Sequence, residues 1–192
     1  MGYPEVRTAE PHPYVLLAKR AVQLTASRLD PFFYIDAREY STKPEMTIKR
    51  GCFVSIKKAP LGELRGCIGT IRPVRDNLWE EIVSNARAAA SEDPRFSPLE
   101  AEEMAQCRIS LDILDEPALI EDLSDLDPSI YGVIVERGGR KGVLLPDLEG
   151  VDTVEQQISI AMRKAGIGMG ERVVLSRFKV SRFSEDPAER SG

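Results

Sequence analysis

Between Gly62 and Pro73 the chain reads Gly-Glu-Leu-Arg-Gly-Cys-Ile-Gly-Thr-Ile-Arg-Pro, and this stretch constrains the fold more than any other. Leu64, Ile68 and Ile71 supply apolar surface for a strand. Gly66 and Gly69 flank a cysteine within it. Glycine weakens a strand by its backbone entropy and its missing side chain, so two so close together call for a bulge or a close approach by another backbone or a ligand. Regular alternation sets Leu64, Gly66, Ile68 and Thr70 on one face, and Arg65, Cys67, Gly69 and Ile71 on the other. Burying Leu64 and Ile68 then places Arg65 beside Cys67, next to a glycine gap. A guanidinium within reach of a thiol favours a reactive or ligand-contacting cysteine. The same pattern also fits a half-buried strand with a small inert cysteine.

The 192 residues, 42% hydrophobic and 30% charged, are enough for one domain, or one domain with a small appended lobe. No apolar run approaches the length of a membrane span, and the N-terminus has no apolar signal core. Cys52, Cys67 and Cys107 are odd in number and far apart, with no Cys-x-x-Cys pair. That points to reduced thiols in a soluble cytosolic protein, and no metal site is expected. The single histidine, His12, lies between two prolines and would have to fold back to serve Cys67 as a base.

The net charge of −5 argues against nucleic-acid binding over the whole surface. The charge is uneven. Residues 43–75 hold eight Lys/Arg against Glu45 and Glu63, a net of +6, whereas residues 80–127 carry a net of −11. A small anionic ligand or RNA near residues 43–75 is one expectation, and a solvated polar sheet face is the other.

Residues 1–12 read as a loose arm. Tyr14, Leu17, Ala18, Ala21 and Leu24 recur at helical spacing and predict a helix over 13–29. Residues 31–50 read as an extended connection. Strands are predicted over 51–58 and 64–71, antiparallel because their link is short. A helix follows from the Asn77-x-x-Glu80 capping box to about Ser91. Ser97-Pro98-Leu99-Glu100 predicts a second capped start, and residues 107–114 alternate as a half-buried strand. Arg137-Gly138-Gly139-Arg140 marks a hairpin, Thr153-x-x-Gln156 opens a helix closing at Gly166, and 173–183 reads as one last strand before a tail over 186–192. The order predicts an α+β fold with a mainly antiparallel sheet flanked by helices. Two unequal lobes with a cleft between them are expected within a domain over 13–185, the smaller lobe at about 128–170.

The hexapeptide Leu64-Arg-Gly-Cys-Ile-Gly69 resembles the signature of the AMMECR domain family. The resemblance continues in order through Phe53-Val54, Ala86, Ala88-Ala-Ala90, Asp93-Pro-Arg-Phe96, Ile109-Ser-Leu-Asp-Ile113, Gly132-Val-Ile-Val135, Gly142-Val-Leu-Leu-Pro146 and Lys164-Ala-Gly-Ile167. What it implies is an α+β fold in two unequal lobes, with the hexapeptide beside a cleft. By association it also implies a modification system shared with a Memo-like protein and a radical-SAM protein. It names no cofactor. Two departures stand out: Asp147 where relatives often have Gln, and a short Gly168-Met-Gly-Glu171 loop.

Two classes of function stay open. In one, the chain is an enzyme or enzyme-associated component, with Cys67 as nucleophile, Arg65 as its anion partner, and Glu63 or Asp93 moving protons. In the other it is a non-catalytic adaptor for a ligand, RNA or a protein, with Gly66 and Gly69 admitting a partner's backbone and Cys67 as packing. Asp93 and Arg95 bind a ligand in one reading and pin their own turn in the other.

Overall fold

A computed structural model describes residues 11–185. Apart from Pro11 and His12, the expected N-terminal arm lies outside the described residues, as does the expected tail over 186–192. The described residues divide into two compact units, one of residues 11–112 with 182–185 and one of residues 113–181.

The first unit opens with α1 (Pro13–Ala26), which starts on a proline and is capped by His12, whose Nδ1 accepts from the Tyr14 amide. Its buried stripe includes Tyr14, Leu17, Ala18, Ala21 and Leu24, the residues at helical spacing. The helix stops earlier than 29, because Arg28 turns left-handed at φ 61°. Residues 31–50 are not extended. They form α2 (Pro31–Tyr34), a 3₁₀ turn (Ala37–Glu39) and α3 (Pro44–Thr47). Asp30 and Asp36 cap the first two through their carboxylates, and proline starts α2 and α3. Single turns like these are held by local caps and leave no periodic stripe to read.

Strands β1 (Cys52–Lys58) and β2 (Glu63–Gly69) pair antiparallel, and α4 (Leu78–Ser91) follows behind an Asn77 cap. Leu99 is buried and its amide donates to the Ala90 carbonyl, which keeps residues 97–99 out of the predicted helix. A 3₁₀ helix (Ala101–Gln106) starts instead from Glu100, with Glu103 completing the capping box. Then come β3 (Cys107–Leu114) and the two-residue β4 (Ala118–Leu119). The sheet of this unit runs β2-β1-β3-β8, where β8 is Val180–Ser184. Cys52, Val54 and Ile56 of β1 and Ile109 and Leu111 of β3 are fully buried, as are Leu78, Ile82, Val83 and Ala86 of α4, which packs on β1 and β2 and against α1. Each of the valine, leucine and isoleucine side chains among them contributes roughly 1.5–3 kcal/mol.

The second unit holds a sheet ordered β4-β7-β5-β6, with β5 at Gly132–Arg137, β6 at Arg140–Leu144 and β7 at Val174–Phe178. Gly138 and Gly139 take φ 52° and 82°, the pair of positive values a tight hairpin turn requires. Helix α5 (Val154–Lys164) begins with the full Thr153–Gln156 capping box and packs on β5 and β6 around Val133, Val135, Leu144, Ala161, Met162 and Ile167. The one strand predicted over 173–183 is two, β7 and β8, broken at Lys179, whose carbonyl accepts from the Asp115 amide. They belong to different sheets, which alternation alone does not encode. Among the described residues the architecture is α+β with antiparallel pairing, and no helix is long and apolar enough to cross a membrane.

Candidate functional site

Both glycines around Cys67 are spent on packing within the chain. A Cβ on Gly66 would lie 2.2 Å from the Ala89 carbonyl oxygen of α4. One on Gly69 would lie 2.3 Å from the Phe53 ring. The close approach that two strand glycines imply is thus made by the protein's own helix and its own aromatic ring.

Regular alternation fails at Arg65. Ile56 pairs with Gly66 and Lys57 with Leu64, so Arg65 is the extra residue of a β-bulge. The bulge sends its guanidinium to the 3₁₀ helix, where Nε and Nη2 donate to the Glu103 carboxylate at 3.0 and 2.8 Å and Nη1 donates to the Ser97 carbonyl at 3.0 Å. Lys58 joins the same carboxylate at 2.9 Å. The Arg65 hydrogen bonds, more than any other contact, hold Glu103 down to about 2.

The guanidinium at Cys67 belongs to Arg95. Its Nη2 donates to the Cys67 carbonyl at 3.3 Å, and the thiol contributes to the electrostatic surroundings that raise its basicity, behind the hydrogen bonds to Asp93. Asp93 is nearly fully buried, and its carboxylate accepts from Arg95 Nε and Nη2 at 2.9 and 2.7 Å and from the Cys67 amide at 2.8 Å. Those bonds, the Arg95 side chain first, hold Asp93 far below the usual carboxylate range. The turn 93–96 is therefore bolted to the middle of β2. Phe96 lies between the two arginines, its centroid 5.9 Å from Arg65 and 5.4 Å from Arg95.

The Cys67 sulfur is half-buried and accepts a hydrogen bond from the Ser55 hydroxyl at 3.3 Å. The other two thiols are buried. Burial pushes Cys52 up to about 12, and burial followed by the Glu103 charge raises Cys107. His12 is engaged elsewhere, its ring packed at a tilt against Tyr14 and Phe183 with centroids 4.4 and 4.3 Å away. Glu63 is exposed at the start of β2, opposite Lys58.

The structure thus gathers Cys67, Asp93 and Arg95 and sends Arg65 to a separate cluster with Glu103. Two participants escaped the sequence reading. Ser55 faces Cys67 across the ladder, and the hairpin register could have revealed it. Glu103 could have been found as the third residue after a capping Glu100. The two departures also have structural places. Asp147 takes φ 55° with its amide donating to the Pro128 carbonyl, and Glu171 of the short loop binds Arg137 and Arg140 of the β5–β6 hairpin.

An α+β protein whose cysteine strand is locked beneath its own helix, with one half-buried thiol beside an Asp–Arg clasp, is the class that fold and site define. The family model AMMECR1 matches residues 17–186, and the chain belongs to that family. It is similar to a Thermotoga maritima protein, 46% identical over 175 residues that cover 90% of this chain and 97% of the relative. Protein CA_C1420 of Clostridium acetobutylicum is 44% identical over 181 residues, 94% of this chain, and the match spans 38% of that relative's length. The crystal structure of uncharacterized protein PH0010 from Pyrococcus horikoshii superposes with a TM-score of 0.79 at 30% identity, covering 90% of each chain.

Proposed function

We propose that Cys67 is a nucleophile and that the chain is an enzyme, or an enzyme-associated component, of a modification system. Its partners would be the Memo-like and radical-SAM proteins that the family resemblance implies. The observation that carries the reading is the contrast among the three thiols. Cys67 is half-buried beside a hydroxyl donor and a guanidinium, while the other two are buried and made less acidic. The Arg95 side chain is 54% exposed and suits the anionic end of a substrate. The sulfur would attack an electrophilic carbon of that substrate. The S–C bond forms as the leaving group departs with its electron pair, and the thiol proton passes to water. Iodoacetamide labelling followed by peptide mapping tests this. Cys67 is expected to be modified first in the folded protein, and equal labelling of Cys52 or Cys107 would sink the nucleophile.

A binding module without chemistry is the second reading. It is favoured by the fact that Arg65, Asp93 and Arg95 already hold their own chain together. Retention of cellular function by a Cys67→Ser variant would select it.

A further inference from the structure

Three elements of the first unit meet at His12, the cap of α1. Its ring centroid lies 4.4 Å from that of Tyr14 and 4.3 Å from that of Phe183 in β8, and Tyr14 meets Phe183 edge-on at 5.1 Å. The Tyr14 hydroxyl donates to the Glu45 carbonyl of α3 at 3.2 Å. The cap itself is one contact, in which Nδ1 accepts from the Tyr14 amide at 3.4 Å. An asparagine in this place would accept at any pH, whereas an imidazole accepts only through an unprotonated nitrogen. A proton on Nδ1 would set N–H against N–H. It would also put a positive charge at the end of the helix where the backbone dipole is positive. The residue is exposed, so protons reach it from water. Packing of the ring favours the neutral form and lowers its pKa, against a smaller opposing pull from the Glu45 carboxylate. Glu45 is the charged group that acts on His12 among the described residues. The Tyr14 phenol also titrates, but burial and then Glu45 raise it, so it stays protonated wherever a histidine changes charge.

We propose that His12 is a pH-operated cap: neutral, it holds the start of α1 against α3 and β8, and protonated, it releases that turn. Below the histidine range the cap bond is lost, the first turn of α1 frays, and the Tyr14 tie to α3 loosens with it. A folded pKa below the unfolded one means stabilisation that is complete above the unfolded value and lost as pH falls through the folded value. The device does not involve Cys67.

NMR of the full chain between about pH 8 and about pH 5 tests the assignment. The imidazole shifts of His12, the chain's single histidine, are followed beside the Tyr14 amide. Hydrogen-exchange protection of that amide is corrected for the intrinsic effect of pH on exchange. The amide is expected to shift with the midpoint of the imidazole, and its protection to fall about fivefold on protonation, the loss of one side-chain cap. His12→Asn keeps an acceptor that does not titrate and should show no pH dependence. His12→Ala should be poorly protected at both ends of the range. The amide of Val54, in the buried part of β1, should stay protected throughout and reports that each variant is folded. Flat protection of Tyr14 in the unchanged protein, a fall of the same size in His12→Asn, or full protection in His12→Ala would each overturn the proposal.

Discussion

The two units use the same device at the contact of helix with sheet. In each, a strand glycine lies directly beneath a helical alanine carbonyl, Gly66 under Ala89 and Gly142 under Ala161. They differ in the polar groups that the helix buries. The fully buried Glu81 of α4 accepts from the Thr70 hydroxyl and from the Val74 and Arg75 amides, at 2.9 and 2.7 Å for the amides. Asn85, one turn on, donates to the Cys52 carbonyl at 3.0 Å and to Thr70 at 3.2 Å. The fully buried Gln157 of α5 donates to the Tyr131 carbonyl at 2.7 Å, but its Oε1 has no partner among the described residues. One helix thus fixes the loop leaving the cysteine strand through a satisfied network. The other holds its sheet by close apolar packing and a single tie. A satisfied buried network specifies one geometry, whereas a half-satisfied amide adds little.

The largest expected effects test the shared device. Alanine at Gly142 or Gly66 would put a Cβ 1.9 or 2.2 Å from a backbone carbonyl oxygen that has no rotamer by which to yield. Each should cost about 3 kcal/mol or more in urea unfolding. Losses below about 1 kcal/mol would show that the helices can lift away. Next comes the contrast itself. Glu81→Ala strands three donors and should cost about 2–4 kcal/mol, while Gln157→Met should stay within about 1 kcal/mol because it also removes an unpaired oxygen. Equal costs would erase the distinction between the units.

Acid should reveal a further asymmetry. Glu103 in the first unit is depressed to about 2, so its stabilisation is complete above its unfolded pKa and fades as pH falls toward 2. Asp93 acts in the same direction at still lower pH. Glu103→Gln is therefore expected to flatten the loss of stability on acidification. A slope identical to that of the unchanged protein would assign the effect elsewhere. The smallest change expected is that of Cys67→Ser, within about 0.5 kcal/mol, since serine still offers an acceptor to the Ser55 hydroxyl. A larger loss in thermal unfolding would make that sulfur a packing element.

Local signals carried much of this architecture. The alternation of β3 as far as Leu111, the double glycine of the hairpin and the Thr153–Gln156 box each act within a few residues, so they can be read from the chain, whereas Asp112 is buried against the expected alternation. The site was less legible, because one inserted residue resets it. Alternation placed Arg65 beside Cys67, whereas the bulge delivers Arg65 to Glu103 and a distant turn delivers Arg95. The glycines were legible as close-approach positions, but what approaches them depends on where α4 and Phe53 settle. The break at Lys179 was hidden for a similar reason, since both sheets accept the same pattern of side chains.

Glu103 has one more consequence. Its carboxylate accepts from the amide of its own N-cap residue, Glu100, at 3.2 Å while it grips Arg65 and Lys58. Fraying of that short helical turn and release of the bulged arginine are therefore one event. Hydrogen exchange at the start of the turn and at the bulge should then share a single opening rate, as two ends of one latch.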